Sequence, residues 1–116
     1  MVSTMIYHIT HLPEWEAAIR LGTYTTPSLV SQGFIHCSYV HQLERVANHY
    51  YPGQIDLVIL VIDPQKLTSS LMIEKAVDVD DNFPHIYGPL NLDAVIKIVD
   101  FPSVSDQQFS LPVELA

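Results

Sequence analysis

The sequence predicts an α+β fold in a single domain, with two helices in the first half of the chain and a run of strands in the second. Three observations support this class. The chain has 116 residues, which is close to the usual size of one domain. Hydrophobic residues make up 48% of it and charged residues 16%, so it can bury a sizeable core. Helix-like segments come early and strand-like segments late, which favours α+β over a doubly wound sheet.

In the first half of the chain, strand and helix signals alternate. Apolar and polar residues alternate in the first segment, and Pro13 followed by apolar residues at helical spacing predicts a helix that ends before Gly22. Ser38 is the predicted N-cap of the second helix. The predicted elements are a strand at 5–10, a helix at 13–21, a loop with one short helical turn at 23–31, a strand at 33–37 and a second helix that begins after Ser38 and ends at residue 50.

The second half is rich in β-branched and apolar residues. Residues 56–63 are apolar without alternation, which is typical of a central strand that is covered on both faces. Further strands are predicted at 71–76, 85–90 and 94–100, with an acidic loop at 78–82. From Phe101 onwards, the composition predicts a tail without a fold of its own, in which Phe109, Leu111 and Val113 dock on the domain or on a partner.

Charge, cysteine content and hydropathy exclude several classes of partner. Five basic and thirteen acidic residues give a net charge of −8, and a surface of that sign repels nucleic-acid phosphates. The single cysteine, Cys37, fits a reducing compartment. No apolar run is long enough to span a bilayer, and residues 1–4 lack the basic start of a signal peptide. We therefore expect a cytoplasmic protein that binds neither nucleic acid nor membranes.

Polar side chains interrupt the predicted strands in four places. They are His8 and Thr10, His36 and Ser38, Glu74, and His85 and Tyr87. If these strands share one sheet, the side chains converge in one cleft. Glu74 follows an apolar stretch, where a carboxylate serves as a general base or stabilises a developing cation. Gly88 lets a ligand approach the backbone next to Tyr87.

Each of these residues also has a purely structural interpretation. His8 can lie at the surface, and Glu74 can be a solubility charge on an edge strand. His85 and Tyr87 can be core aromatics whose polar tips are hydrogen-bonded. His36 is flanked by apolar residues, so we expect its ring to have a fixed hydrogen-bond partner.

The remaining histidines and the cysteine are given no chemical role. His11, His41 and His49 fall at a helix start or on helix surfaces away from the apolar stripes. No pair of histidines has a familiar metal-ligand spacing with a third ligand, so no metal ligand is predicted. Cys37 lies on the opposite strand face from His36, and we expect it to be a small buried hydrophobe.

The segments MIYHIT, GFIHCS and FPHIYGPL closely resemble a bacterial family called domain of unknown function 952. The match runs from about residue 5 to residue 99 and leaves the C-terminal tail outside. The fold of that family is similar to the ADP-ribosyltransferase fold, a split antiparallel sheet that clasps NAD. The resemblance implies one such domain at 5–100 and a tail at 101–116.

The resemblance also implies roles for the candidate residues. His8 and Thr10 look like the first-strand residues with which such enzymes hold the ribose and nicotinamide side of NAD. Residues 34–38 look like a segment of the RNA 2′-phosphotransferases, and Glu74 stands where transferases place their catalytic glutamate. Ile9 replaces a glycine of the first-strand motif, and the phosphate-binding arginines have no clear counterparts. These departures argue against RNA 2′-phosphate chemistry.

The first functional hypothesis is therefore an ADP-ribosyltransferase-like enzyme that binds NAD or an ADP-ribose-type nucleotide and transfers or hydrolyses a ribosyl group. Glu74 and His36 are its predicted catalytic residues, and its predicted ligand-binding residues are His8, Thr10, Ser38, His85 and Tyr87. NAD is then a substrate, and no further cofactor is predicted. The alternatives are a non-catalytic module for a small ligand and an interaction protein that associates through its tail.

Overall fold

Within residues 4–104 and 108–116, which this computed structural model describes, the chain forms three α-helices and eight strands. The helices are α1 (Leu12–Leu21), α2 (Pro27–Ser31) and α3 (Leu43–Tyr50). The strands are β1 (Ile6–His11), β2 (Thr23–Tyr24), β3 (Ile35–His36), β4 (Leu57–Ile62), β5 (Ser70–Lys75), β6 (Asn82–Tyr87), β7 (Leu90–Asn91) and β8 (Val95–Asp100). The strand pairs are antiparallel, and the predicted α+β class is confirmed. None of the helices described here is long and apolar enough to cross a membrane.

Two three-stranded sheets and one two-stranded ladder form the β-structure. The first sheet has the order β1-β4-β8, the second has the order β3-β6-β5, and β2 pairs with β7. Tyr7 of β1 and Ser38, which follows β3, join the first two sheets through a pair of main-chain hydrogen bonds of 2.8 and 2.7 Å. Beyond this bridge, β1 continues along β4. A gap therefore opens between β1 and the second sheet.

Strand β4 lies at the centre of the core, as the sequence predicts. All six of its residues are buried, and it lies between β1 and β8. On one face, Leu60 packs in a cluster with Trp15 of α1 and Ile86 of β6. On the other face, Ile59 packs in a second cluster with Leu43 of α3. Because each buried aliphatic side chain contributes about 1.5–3 kcal/mol, β4 fixes elements on both of its faces.

The structure corrects several predicted boundaries. The predicted loop at 23–31 contains β2 as well as the short helix α2, and β6 begins at Asn82 instead of residue 85. Ser38 does not cap the second helix, because Gln42 occupies the N-cap position of α3. The main-chain N–H and C=O groups of Ser38 are bonded to Tyr7, and the chain passes through a 3-10 turn (Val40–Gln42) before α3 begins.

The C-terminal segment packs against α3. Phe109 is buried, and its ring centroid lies 5.1 Å from that of Phe101. The main-chain N–H and C=O groups of Phe109 bond to the side-chain amide of Asn48 at 2.7 and 2.9 Å. Leu111 is partly buried in the same cluster, whereas Val113 is exposed. The segment therefore docks on the domain, while residues 105–107 of the predicted tail lie outside the described residues.

Candidate functional site

A cleft of about 880 Å³ lies between the two three-stranded sheets. Its walls come from β1, α1, β2, the start of α2, β3, β5, β6 and the C-terminal end of α3. The seven candidate residues all line this cleft: His8, Thr10, His36, Ser38, Glu74, His85 and Tyr87. The structure therefore brings the candidate residues together in one place.

Glu74 is held by two hydrogen-bond donors from β6. Met72 pairs with His85 and Glu74 pairs with Phe83, so Glu74, His85 and Tyr87 share one face of the sheet. The Tyr87 hydroxyl donates to Oε1 of Glu74 at 2.6 Å, and Nδ1 of His85 lies 2.8 Å from the same oxygen. The bond from Tyr87, followed by the bond from His85, lowers the pKa of Glu74. Glu74 is therefore an ionised and oriented carboxylate at neutral pH.

An aromatic stack forms the wall beside Glu74. The ring of Phe34 stacks on that of His85, with centroids 4.0 Å apart and an interplanar angle of 18°. The centroid of Phe34 also lies 4.7 Å from that of His36. His36 is exposed, and its Nε2 lies 2.6 Å from Oε1 of Gln32, so this ring does have a hydrogen-bond partner. Partial shielding from water and, after that, the nearby His85 lower the pKa of His36.

His8 is buried, so its interpretation as a surface residue is wrong. Its ring lies at one end of a series of polar contacts that crosses the gap between the two sheets. Its Nδ1 lies 2.5 Å from the main-chain oxygen of His36, and because a carbonyl only accepts, Nδ1 carries a hydrogen. Its Nε2 lies 2.8 Å from the hydroxyl of Tyr24. That hydroxyl lies 2.9 Å from Oγ1 of Thr10, and Oγ1 in turn lies 3.2 Å from a carboxylate oxygen of Glu14. Burial lowers the pKa of His8 to about 4, so the ring is neutral at pH 7.

The cleft carries more negative than positive charge. Among the described residues that line it, the carboxylates are Glu14, Glu74 and Asp78, and Lys75 is the one Lys or Arg residue. The ammonium group of Lys75 lies 3.0 Å from a carboxylate oxygen of Asp80. At the end of α3, the Tyr50 hydroxyl donates to Asp78 at 2.6 Å and lowers the pKa of that carboxyl. This balance of charge disfavours ligands that carry several phosphates.

Several residues of the site were not predictable as site residues in the same way. Phe34 lies two residues before His36, and this period-2 spacing was a signal that could have identified it. Tyr24 comes from a two-residue strand that is defined by its pairing with β7, so no local pattern reveals it. His11, for which the sequence predicts no role, also lines the cleft, and its Nε2 lies 2.7 Å from Oε1 of Gln54.

Three further residues, Ser38, Cys37 and Gly88, differ in how well they agree with the sequence predictions. Ser38 is buried at the cleft wall and joins the two sheets through its main chain. Cys37 is buried in the core, as expected, and burial raises the pKa of its thiol. Gly88 does not open the backbone to a ligand, because a Cβ at this position would lie 2.5 Å from Oγ of Ser69. The glycine instead makes room for that serine.

The fold and the cleft together define a single-domain α+β protein with a polar, aromatic-lined cleft between two antiparallel sheets. In the part of the chain that the structure describes, no three His, Cys, Asp or Glu side chains are grouped so that they could hold a metal ion. The chain belongs to the family described as protein of unknown function DUF952, whose model matches residues 9–98. The family expected from the sequence motifs is confirmed.

Solved structures of protein CC0527 from Caulobacter crescentus are similar to this chain. The X-ray crystal structure is 31% identical in sequence, covers 97% of this chain and 98% of its own, and superposes with a TM-score of 0.87. The solution NMR structure of the same protein is 31% identical, covers 98% of both chains, and has a TM-score of 0.84. No curated protein matches the sequence. The similarity therefore extends over nearly the whole chain.

Proposed function

We propose that the cleft binds a ribosyl ligand of the NAD or ADP-ribose type and that Glu74 acts at the ribosyl C1′ in transfer or hydrolysis. The orientation of the Glu74 carboxylate carries this proposal. Both of its donors, Tyr87 and His85, reach Oε1, and Oε2 accepts no hydrogen bond from the described residues. One oxygen of an ionised carboxylate is therefore left to face a ligand in the cleft.

Cleavage at C1′ gives the ribose ring positive charge that a fixed carboxylate stabilises. The C1′–N bond breaks, and its electron pair leaves with the base. A water molecule or an acceptor hydroxyl forms the new C1′–O bond and loses its proton, which the neutral His36 ring accepts. Because Glu74 is already oriented by two donors, it stabilises the oxocarbenium-like transition state without reorganising.

Residues of the first sheet orient the ligand in this proposal. The sheets are joined at Tyr7 and Ser38 and separate beyond that bridge, which supports the ADP-ribosyltransferase-like split sheet that the sequence motifs imply. Both ring nitrogens of His8 have partners within the protein, so His8 acts as a positioning residue that holds Tyr24 and Thr10. The partner is then a small molecule, which the protein meets in a reducing cytoplasm.

Calorimetric titration with NAD and ADP-ribose, combined with an assay of the nicotinamide released from NAD, tests the proposal. Glu74→Gln keeps an acceptor for Tyr87 and His85 but removes the negative charge. We expect binding within a few-fold of wild type and turnover reduced by about 10²-fold or more. Glu16→Gln changes an exposed carboxylate of α1 outside the cleft and should leave both quantities unchanged. Undiminished turnover in Glu74→Gln would contradict the role of Glu74, and the proposal fails if neither these two ligands nor a ribosyl ligand without phosphates binds at millimolar concentration.

A non-catalytic binding module is the second candidate. It is favoured because protein groups already occupy one oxygen of Glu74, both ring nitrogens of His8 and Nε2 of His36. Such a module requires shape and stacking more than reactive groups. It predicts binding that persists in Glu74→Gln but is lost in His36→Ala, with no turnover by the wild-type protein.

A further inference from the structure

We propose that the cleft selects a cationic N-riboside without phosphate groups, that is, a ribose joined to a positively charged aromatic ring. This inference rests on the proposed function and names its substrate class. Two independent features support the inference. The cleft walls carry a net negative charge, and several aromatic rings line the same walls.

The charges on the walls oppose a diphosphate. Glu14, Glu74 and Asp78 come from α1, β5 and the segment after β5, so carboxylates lie on several walls of the cleft. Lys75 is the one Lys or Arg residue among the described lining residues, and its side chain is largely exposed and paired with Asp80. A ligand with several phosphates would meet net repulsion, whereas a single positive charge is attracted.

Of the helix ends at the cleft, that of α3 favours a cation, whereas Pro27 and Ser28, at the start of the five-residue helix α2, also line the cleft and place an N-terminal end there. Tyr50 and Tyr51 place the C-terminal end of α3 at the cleft, and the free carbonyls of a helix C-terminus favour cations. The first turn of α1, which would favour an anion, already contains the carboxylate of Glu14. The N-terminal end of α1 is therefore already neutralised by its own carboxylate.

Aromatic rings supply the matching surface for a flat cation. Phe34 stacks on His85 and lies 5.3 Å from the Tyr87 ring, next to the carboxylate of Glu74. Tyr7 and Phe83 also line the cleft. A positively charged aromatic ring gains both stacking and cation–π attraction on such a wall.

The chemistry of a cationic riboside matches a single oriented carboxylate. When the C1′–N bond breaks, its electron pair returns to the ring nitrogen and neutralises the base, so the leaving group needs no proton. Water supplies the new C1′–O bond and releases one proton, which the neutral His36 ring accepts. The positive charge moves from the base to the ribose, where Glu74 stabilises it.

Calorimetric titration of the intact protein with nicotinamide riboside, NAD and ADP-ribose tests the inference. We expect the riboside, which is cationic and has no phosphate, to bind at least about tenfold more tightly than ADP-ribose. Its affinity should fall as ionic strength rises, because the attraction is screened. This salt dependence needs no variant and so does not depend on whether a variant folds.

Two variants test whether the charge in the cleft attracts the riboside, and the ranking of the three ligands separates this inference from the proposed function. Asp78→Asn should weaken riboside binding several-fold, whereas Asp100→Asn, an exposed change on β8 outside the cleft, should not. If ADP-ribose or NAD binds as tightly as the riboside or more tightly, the inference is overturned while the proposed function stands. If none of the three ligands binds, the proposed function itself fails and the inference fails with it.

Discussion

Nδ1 of His85 lies 2.8 Å from Oε1 of Glu74, although the two residues are eleven positions apart in the sequence. The register of β5 against β6 produces this contact, because it places both side chains on the same face of the sheet. Tyr87 reaches the same oxygen from the next position on that face. The ionised state of Glu74 therefore follows from strand pairing, and it can be perturbed one donor at a time.

Tyr87→Phe removes the donor that contributes most to the low pKa of Glu74. We expect the pKa of Glu74 to rise towards its ordinary value, while the bond from His85 keeps part of the depression. Carboxyl resonances followed by NMR across a pH titration measure this change. Tyr50→Phe is the matched control, since it removes a phenol that bonds to Asp78 and leaves Glu74 untouched. A Glu74 pKa that is identical in wild type and Tyr87→Phe would refute the assignment.

The buried ring of His8 makes stability depend on pH. Its pKa falls from 6.5 in the unfolded chain to about 4 in the fold, mainly because of burial, so protonation favours the unfolded state. The contribution is fully present above pH 6.5 and is lost progressively as pH falls towards 4, by about 3 kcal/mol at most. Urea unfolding at pH 7 and pH 4.5 measures this loss.

The contribution of His8 can be separated from that of other histidines. His8→Asn keeps a donor for the carbonyl of His36 but cannot titrate, so the loss between pH 7 and 4.5 should shrink even though the variant is less stable throughout. His41→Asn removes an exposed histidine outside the cleft and should keep the wild-type slope. An unchanged slope in His8→Asn would show that the buried ring is not responsible.

The docked C-terminal segment contributes to the stability of the domain. Phe109→Ala removes a fully buried ring that packs on Phe101, and we expect a loss of about 3–5 kcal/mol in the free energy of unfolding. Val113→Ala, at an exposed position of the same segment, should change it by less than about 0.5 kcal/mol. Urea denaturation at pH 7 compares the two variants. Equal stabilities would mean that the segment does not dock in solution.

Gly88 is required by both backbone conformation and space. Its φ is 149°, and a Cβ at this position would lie 2.5 Å from Oγ of Ser69. We expect Gly88→Ala to destabilise the protein by about 1–3 kcal/mol. Adding Ser69→Gly removes the clash but not the backbone strain, so the effect of Gly88→Ala should be smaller in that background. A double-mutant cycle measured by thermal unfolding gives the coupling, and strict additivity would exclude the contact.

Long periodic segments of the fold were predictable, and short paired ones were not. The sequence shows a two-residue alternation in β1, helical spacing in α1 and α3, and a continuous apolar run in β4. These patterns reflect burial of one face or of both faces. The two-residue strands β2 and β7 exist because they pair with each other. Thr23 and Leu90, which are in contact there, are 67 positions apart in the sequence. Such pairing is set by the tertiary fold and leaves no local signal.

The same distinction applies to the site. Glu74, His85 and Tyr87 were predictable because polar residues are conspicuous in apolar strands. Side chains alternate along a strand, so residues two positions apart, such as His85 and Tyr87, lie on one face. The link from His8 to Tyr24 spans 16 residues and depends on where α1 returns the chain. It could not be read from spacing, and neither could the burial of His8.

The most direct test of the central claim is an NMR titration that follows the imidazole ¹H–¹⁵N resonances as nicotinamide riboside or NAD is added. We expect saturable shifts for His36 and His85, which line the cleft, and none for His41, which lies outside it. Saturation at the same ligand concentration by calorimetry would link the shifts to a single binding event. Saturable binding that leaves His36 and His85 unmoved would place the ligand elsewhere and contradict the assignment of the cleft as the functional site.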